Sequence, residues 1–289
     1  KRKYMAISNL KNTIQNIINL PSLPSVTMEI ISIIYNPDTD VQTLSKIIAK
    51  DQVLASKVLK VANSPFYSYP RVISTIDFAI TILGFDTLKE VVISISFINY
   101  FRNYKSKLID FQKFWKHSII SSIICRELAK SIKYKITGEA FVSGLIQDIG
   151  IFIMSQFFQN EFKLLVEKIN NENVDFLKVE KEIYGFTHGE IGSWLLERWN
   201  FPIQLIEAVS GHHNPEISKI NPVLTTLNYY TEYLLYNSDF MKYNFEKDLK
   251  FTTEYLNILQ IKDLTDLNGI IEKNRNIIDN EIEKSKYFV

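Results

Sequence analysis

The chain carries four histidines, His117, His188, His212 and His213, and Gln147-Asp148-Ile149-Gly150 stands between the first two. Imidazole nitrogens and a carboxylate are donors for a divalent metal, and a metal so held can activate water for attack on a phosphate ester. Whether these groups can act together depends on the elements that position them. Apolar residues recur three and four apart, and in that phase His117 falls with Ile120, Ser121, Ile124 and Leu128. Asp148 falls with Phe141, Leu145 and Phe152, and His188 with Ile191, Gly192, Leu195 and Trp199. His212 shares a face with Leu205 and Val209, and Asn228 with Leu224, Thr231 and Leu235. A lone histidine on an apolar face is ordinarily a hydrogen-bonded core residue. Five polar positions facing inward from five helices point instead to one shared pocket.

The elements read as helical nearly throughout, with 9 Gly, 8 Pro and no central sheet expected. Ser25, Asp40, Asp51, Ser74, Asp86, Asp110 and Thr137 precede apolar-periodic runs and are expected N-caps. Breaks are expected at Pro21 to Pro24, Asn36-Pro37, Asn63-Ser64-Pro65 through Pro70, Gly185, Pro202, Asn214-Pro215 and Asn221-Pro222. The polar stretch Arg102 to Asp110 divides a helical lobe without histidine, residues 1–105, from residues 106–240, which carry every candidate site residue. Residues 241–289 are richer in Lys, Glu, Asp and Asn from Lys242 onward, as expected of a peripheral cap or an interaction arm.

Bulk properties narrow the function. At 289 residues and 46% hydrophobic content the chain can bury a sizeable core. Lys+Arg 33 against Asp+Glu 32 gives a formal net charge of +1, which supplies no drive toward nucleic acid or an anionic membrane. The helical pairs also lack a clustered Arg/Lys recognition face, so sequence-specific nucleic-acid binding is not expected. Cys125, the single cysteine, lies among Ile123, Ile124 and Leu128 and reads as a buried thiol in a reducing cytoplasm. The most apolar run, Val91 to Phe101, is interrupted by Ser94, Ser96 and Asn99 and is shorter than the ~18 residues a membrane span needs, so no membrane helix is predicted. Lys1-Arg2-Lys3 opens the chain without an apolar signal core and reads as the start of a fragment rather than a targeting segment.

Several blocks together resemble the HDOD family, the HD-related output domains of bacterial signalling proteins. They are Leu20-Pro21-Ser22-Leu23-Pro24, then Asp51, Leu54, Lys57, Val58 and Leu59 leading to Ala62-Asn63-Ser64-Pro65-Phe66-Tyr67. Ile76, Ala79, Ile80, Leu83 and Gly84 follow, then Gly144 to Gly150 and His188 to Trp199. The resemblance implies an all-α protein, a helical N-terminal lobe packed on an HD-like helical bundle, with a cytoplasmic signalling role and no demonstrated enzymatic activity in many members. Against the HD superfamily's pattern of His, a His-Asp doublet, further His and a late Asp, Gln147 stands for the doublet's histidine and Asn228 for the late Asp. Asp148 is then the only carboxylate placed at the site, and a buried dication with one carboxylate is poorly neutralised.

The resulting expectation is a degenerate site of His117, Gln147, Asp148, His188, His212, His213 and Asn228, with no catalytic residue, no cofactor and no tightly bound metal. His117, Asp148, His188 and His212 are the candidates for weak metal binding. The expected function is a non-enzymatic output module that binds signalling proteins or a nucleotide. The alternative is a residual metal-dependent phosphohydrolase acting on a nucleotide or cyclic dinucleotide. Asn63, Ser64, Tyr67 and Arg71 form a candidate interaction loop, although Asn63-Ser64-Pro65 also reads as a plain helix terminator. Gly144 and Gly150 are expected to permit close helix packing, since no Gly-rich phosphate loop is present.

Overall fold

Asp40, Asp51 and Asp110 cap helices as their spacing predicts. Asp40 accepts from the Thr43 N–H at 2.7 Å, Asp51 from Val53 and Leu54 at 2.9 and 3.0 Å, and Asp110 from Gln112 and Lys113 at 3.0 and 3.1 Å. Each carboxylate satisfies donors that a first helical turn leaves open. The computed structural model describes residues 23, 25–34, 39–67, 69–102, 108–171, 174–237 and 251–288. Among the described residues the fold is all-α, with no strand. Lys1-Arg2-Lys3, Leu20, Pro21, Ser22, Pro24, Asn36-Pro37 and Lys242, and the expected boundaries at 105/106 and 240/241, lie outside them.

The N-terminal group comprises α1 (Ser25–Ile34), α2 (Val41–Ala49), α3 (Gln52–Ala62), α4 (Ile76–Leu83) and α5 (Phe85–Phe101). The central group begins with α6 (Phe111–Ser131), α7 (Thr137–Ile146), α8 (Ile149–Phe157) and α9 (Gln159–Asn171). It continues with α10 (Phe176–Ile183), α11 (His188–Arg198), α12 (Ile203–Gly211) and α13 (Pro222–Asn237). A 3-10 turn at Leu256–Leu259 leads to α14 (Leu264–Lys273) and α15 (Arg275–Ser285).

Four expected caps shift. Thr75, not Ser74, caps α4, because its extended backbone aims the hydroxyl at the Phe78 N–H, 3.2 Å away. Gly84 precedes α5 at φ 83, a turn glycine makes without strain, so the helix begins before Asp86, which sits in its first turn. Ile136 occupies the cap position of α7 with no side-chain bond, leaving Thr137 as the first helical residue. Ser25 is likewise already inside α1. Three non-glycine residues, Lys133, Asn200 and Gln260, hold left-handed φ of 58°, 52° and 58°. All end helices in the same way: the N–H of the following residue bonds back to Ala129, Leu196 and Leu256 respectively.

The N-terminal group and the central bundle share a core. Phe101, at the end of α5, packs 4.7 Å from Phe152, 5.7 Å from Trp115 and 6.1 Å from Trp199, ring centre to ring centre. Buried Arg126 on α6 joins a third part, donating to Glu127 at 2.9 Å and to Glu90 of α5, with Glu281 of α15 at 3.5 Å. Leu256, Leu259, Leu267, Ile271 and Ile278 are buried, so the polar C-terminal segment contributes to the core. Among the described residues Thr137–Phe157, rather than Val91 to Phe101, is long and apolar enough to cross a membrane by length and composition. In the fold 89% of its most apolar window is buried inside the protein. Cys125 is fully buried, and that burial pushes its thiol up to about 12.

Candidate metal centre

Asp148 occupies the turn between α7 and α8, where an apolar run pauses for two residues before resuming as α8. Gly150 lets that turn press against the start of α11, since a Cβ there would meet the His188 carbonyl oxygen at 1.9 Å. Across the core, α6 brings His117 to Asp148, Nε2 to Oδ2 at 3.1 Å. Glu232 of α13 approaches the same nitrogen, Oε1 to Nε2 at 3.9 Å, so that His117, Asp148 and Glu232 each present a donor atom within 4.8 Å of the others, and Gln147 donates to the Glu232 carboxylate. His117, Asp148 and Glu232 are all buried.

The other three histidines meet on the opposite side of Asp148. A capping box starts α11: Thr187 Oγ1 accepts from the Glu190 N–H at 3.3 Å and Thr187 N–H donates to Glu190 at 2.8 Å. His188 is therefore fixed at the first helical position. Its Nδ1 lies 3.0 Å from both Glu180 oxygens, and its backbone N–H donates to Glu180 at 3.0 Å. His212, just past α12, places Nδ1 2.6 Å from the Val209 carbonyl oxygen. The Nε2 atoms of His188 and His212 face each other at 2.9 Å, and His213 Nε2 is 3.1 Å from that of His188. Asp148 Oδ1 lies 3.7 Å from both His188 Nε2 and His212 Nε2.

These donors fit a cation. A carbonyl oxygen only accepts, so His212 carries its hydrogen on Nδ1, and an ionised Glu180 requires the same of His188. Both Nε2 atoms of the neutral rings then present lone pairs to each other, a repulsion that a shared proton or a metal ion between them removes. Two ligands on one transition metal stand roughly 3 to 3.5 Å apart, close to the spacing of the three Nε2 atoms. Asp148 Oδ1, buried and without a hydrogen-bond partner among the described residues, faces the same space. The Glu180–His188 contact is the outer-shell arrangement that orients a ligating imidazole.

The sequence-derived site is largely assembled: His117, Asp148, His188, His212 and His213 converge, with Gln147 beside them. Asn228 is held apart from these donors. Its Nδ2 donates to Ser143 at 2.7 Å and its Oδ1 accepts from the Cys125 thiol at 3.4 Å, one helical turn from Glu232, whose Oε1 lies 3.9 Å from His117 Nε2. The premise of a single carboxylate is corrected by the same observation. Glu232 is the only charged residue in Pro222–Asn237, a signal that could have revealed it. In the candidate loop, Asn63 holds its own turn closed, donating to Leu59 O and Ile73 O at 2.8 and 2.7 Å and accepting from Ile73 N–H at 2.8 Å. Ser64 is buried, Arg71 is exposed, and Tyr67 with Phe66 lies under Lys284, whose Nζ is 4.5 Å from the Phe66 ring centre.

An all-helical bundle with its histidines and carboxylates gathered at the junction of α6, α8, α11 and α13 defines the class of protein. The sequence matches the HDOD domain over residues 20–215, and the chain belongs to that family. An HDOD domain protein of unknown function from Geobacter sulfurreducens shares the fold at 21% identity and a TM-score of 0.81, over 99% of each chain. A candidate signal transduction protein from Marinobacter aquaeolei VT8 aligns at 19% identity and a TM-score of 0.80, covering 98% of this chain and 66% of the other. A candidate phosphohydrolase from Shewanella amazonensis SB2B aligns at 25% identity and a TM-score of 0.75, over 97% and 98%. Among curated proteins, an uncharacterized protein of Treponema pallidum (strain Nichols) is 24% identical over 214 residues, 72% of this chain, and the match spans 41% of that relative's length.

Proposed function

We propose that the chain is a cytoplasmic bacterial signal-transduction module that works by binding a partner protein, and that its buried cluster holds a divalent metal as an internal strut. The burial of the cluster carries this reading. His117, Asp148, His188, His212 and Glu232 are each at most 4% exposed, and only His213 is partly open. A metal that hydrolyses a phosphate ester keeps a ligand position open to substrate. Here the donors face one another across helices and are closed off from solvent except at His213.

His188, His212, His213 and Asp148 would hold the ion, with His117 bonded to the other oxygen of Asp148 and Glu232 beside His117. Bound there, the ion supplies charge that offsets the buried carboxylates and a cross-link between helices. Glu180 orients His188, and Gln147 orients Glu232. The described parts of the N-terminal group, the central bundle and the C-terminal segment then act as one body, joined at Phe101 and Arg126. Signalling neighbours of the same fold support the role as a module.

Metal analysis of the full chain purified without chelator tests the strut. Hydrolysis assays with cyclic dinucleotides and a chromogenic phosphodiester, with added manganese, magnesium or iron, test the activity. We expect bound metal without turnover. Metal-dependent turnover abolished by Asp148→Ala would replace this reading with the phosphohydrolase alternative.

A further inference from the structure

The turn that joins α6 to α7 lies away from the metal centre and borders two hollows. The larger, about 410 Å³, is walled by Ile132, Ile136, Val223, Ile258 and Leu259, with Tyr134 among them. Its charged lining residues are Lys133 and Lys135, and among the described residues no carboxylate lines it. The smaller, about 140 Å³, shares Lys135 and Ile136 with it and adds Lys89, Asp86 and Glu90. There Asp86 lies 3.5 Å from Lys89, and Glu90 is engaged by Arg126. Lys133 and Lys135 are exposed and take part in none of the ion pairs of the described residues.

Tyr134, which lines the larger hollow, is held from behind by hydrogen bonds. Tyr134 Oη donates to Glu139 Oε2 at 2.5 Å and accepts from Asn221 Nδ2 at 2.7 Å, while Gln204 Nε2 donates to Glu139 Oε1 at 2.8 Å. Glu139 is buried under Tyr134, so its oxygens are committed internally. Glu207 is committed too, accepting from Ser218 Oγ and the N–H groups of Lys219, Ile220 and Asn221 at 2.6 to 3.1 Å. Ile136, shared by both hollows, is 46% exposed, and Ile203 and Ile220, next in sequence to Gln204 and Asn221, are also exposed. An apolar hollow with a hydrogen-bonded wall, an exposed aliphatic edge at Ile136 and an unpaired cationic rim is a docking surface.

We propose that this face binds an acidic, apolar peptide segment of a partner protein, its aliphatic or aromatic side chains in the larger hollow and a carboxylate against Lys133 and Lys135. The proposal rests on the reading of the chain as a partner-binding module and names the surface that does the binding. Charge decides against a second copy of this chain, because pairing through this face about a two-fold axis sets its lysines against the same lysines of the other copy. An acidic segment meets them favourably.

A random dodecapeptide display library panned on the full chain, with photo-crosslinking of the enriched peptides, tests this. We expect enriched peptides to interleave Asp or Glu with Leu, Ile or Phe, to crosslink within 132–136 or 258–260, and to bind K133E/K135E at least about tenfold more weakly. Ile136→Ser should weaken them by a similar factor, and circular dichroism should show both variants folded, since all three positions are exposed. Neutral or basic peptides, crosslinks on another face, or affinity indifferent to the lysine reversal would overturn the surface while leaving the partner-binding reading in place. Absence of any enriched peptide would overturn both. A dimer in light scattering that K133E/K135E disperses would give the groove to a second copy and overturn the acidic-segment proposal.

Discussion

The carbonyl oxygen of His188 stands 1.9 Å from where a Cβ of Gly150 would lie, so α8 and α11 touch backbone to backbone at the edge of the metal centre. Gly150→Ala must drive these helices apart, and overpacking of this kind costs about 1–3 kcal/mol or more. We expect the denaturation midpoint to fall accordingly and metal stoichiometry to fall with it. Gly138→Ala is the control: a Cβ there meets nothing within 4 Å, and its stability should hold or rise. Equal stability of both variants would show that the contact can relax.

Glu180 grips His188 through its ring and its backbone N–H. An amide in its place cannot accept at both positions with a full negative charge. Glu180→Gln should therefore lower metal affinity by about 10–100-fold while far-UV circular dichroism stays helical. Competition against a metallochromic chelator measures it. Unchanged affinity would remove Glu180 from its positioning role.

The histidines and Asp148 were legible because phase alone places them on buried faces, and local sequence rules also read most helices correctly. The carboxylates that complete the centre were harder to see. Asn228 drew attention as a polar residue on an apolar face, yet its side chain is committed to Ser143 and Cys125. Glu232 is one turn further on, where a single charge in an otherwise neutral helix is itself the signal. Glu180 sits four residues after Phe176 and four before Tyr184, both fully buried, but neighbouring Lys178, Lys181 and Glu182 make one more charge there unremarkable. Cap positions such as Thr75 and Gly84 depend on backbone angles that residue type only biases.

Glu90 gives the protein a pH dependence of known sign. Burial pushes its carboxyl up to about 7 against the pull of Arg126, and Glu281 adds to the rise. A carboxyl whose folded value exceeds its ordinary 4.5 binds its proton more tightly when folded. Its stabilising contribution is full below pH 4.5, is lost as pH climbs to about 7, and amounts to at most about 3 kcal/mol. Glu90→Gln is neutral throughout, so its stability relative to the native chain should rise between pH 5 and pH 8. Urea denaturation at several pH values reads the difference, and parallel pH profiles would contradict it.

Gln147→His and Asn228→Asp should have opposite consequences. Gln147 is buried, donates to Glu232 and leaves Oε1 without a partner among the described residues. A histidine there brings a nitrogen donor to the edge of a cluster that already holds two carboxylates, and metal affinity should rise about tenfold or more. Asn228 lies instead between the Cys125 thiol and the Ser143 hydroxyl, where an aspartate would bury a charge against two neutral partners. Asn228→Asp should leave metal affinity unimproved and cost about 3–5 kcal/mol, the scale of an uncompensated buried charge. Calorimetric metal titration and thermal unfolding of the two single variants separate these outcomes. Higher metal affinity in Asn228→Asp, with none gained by Gln147→His, would show that the acidic position beside the centre is that of Asn228 and not of Glu232.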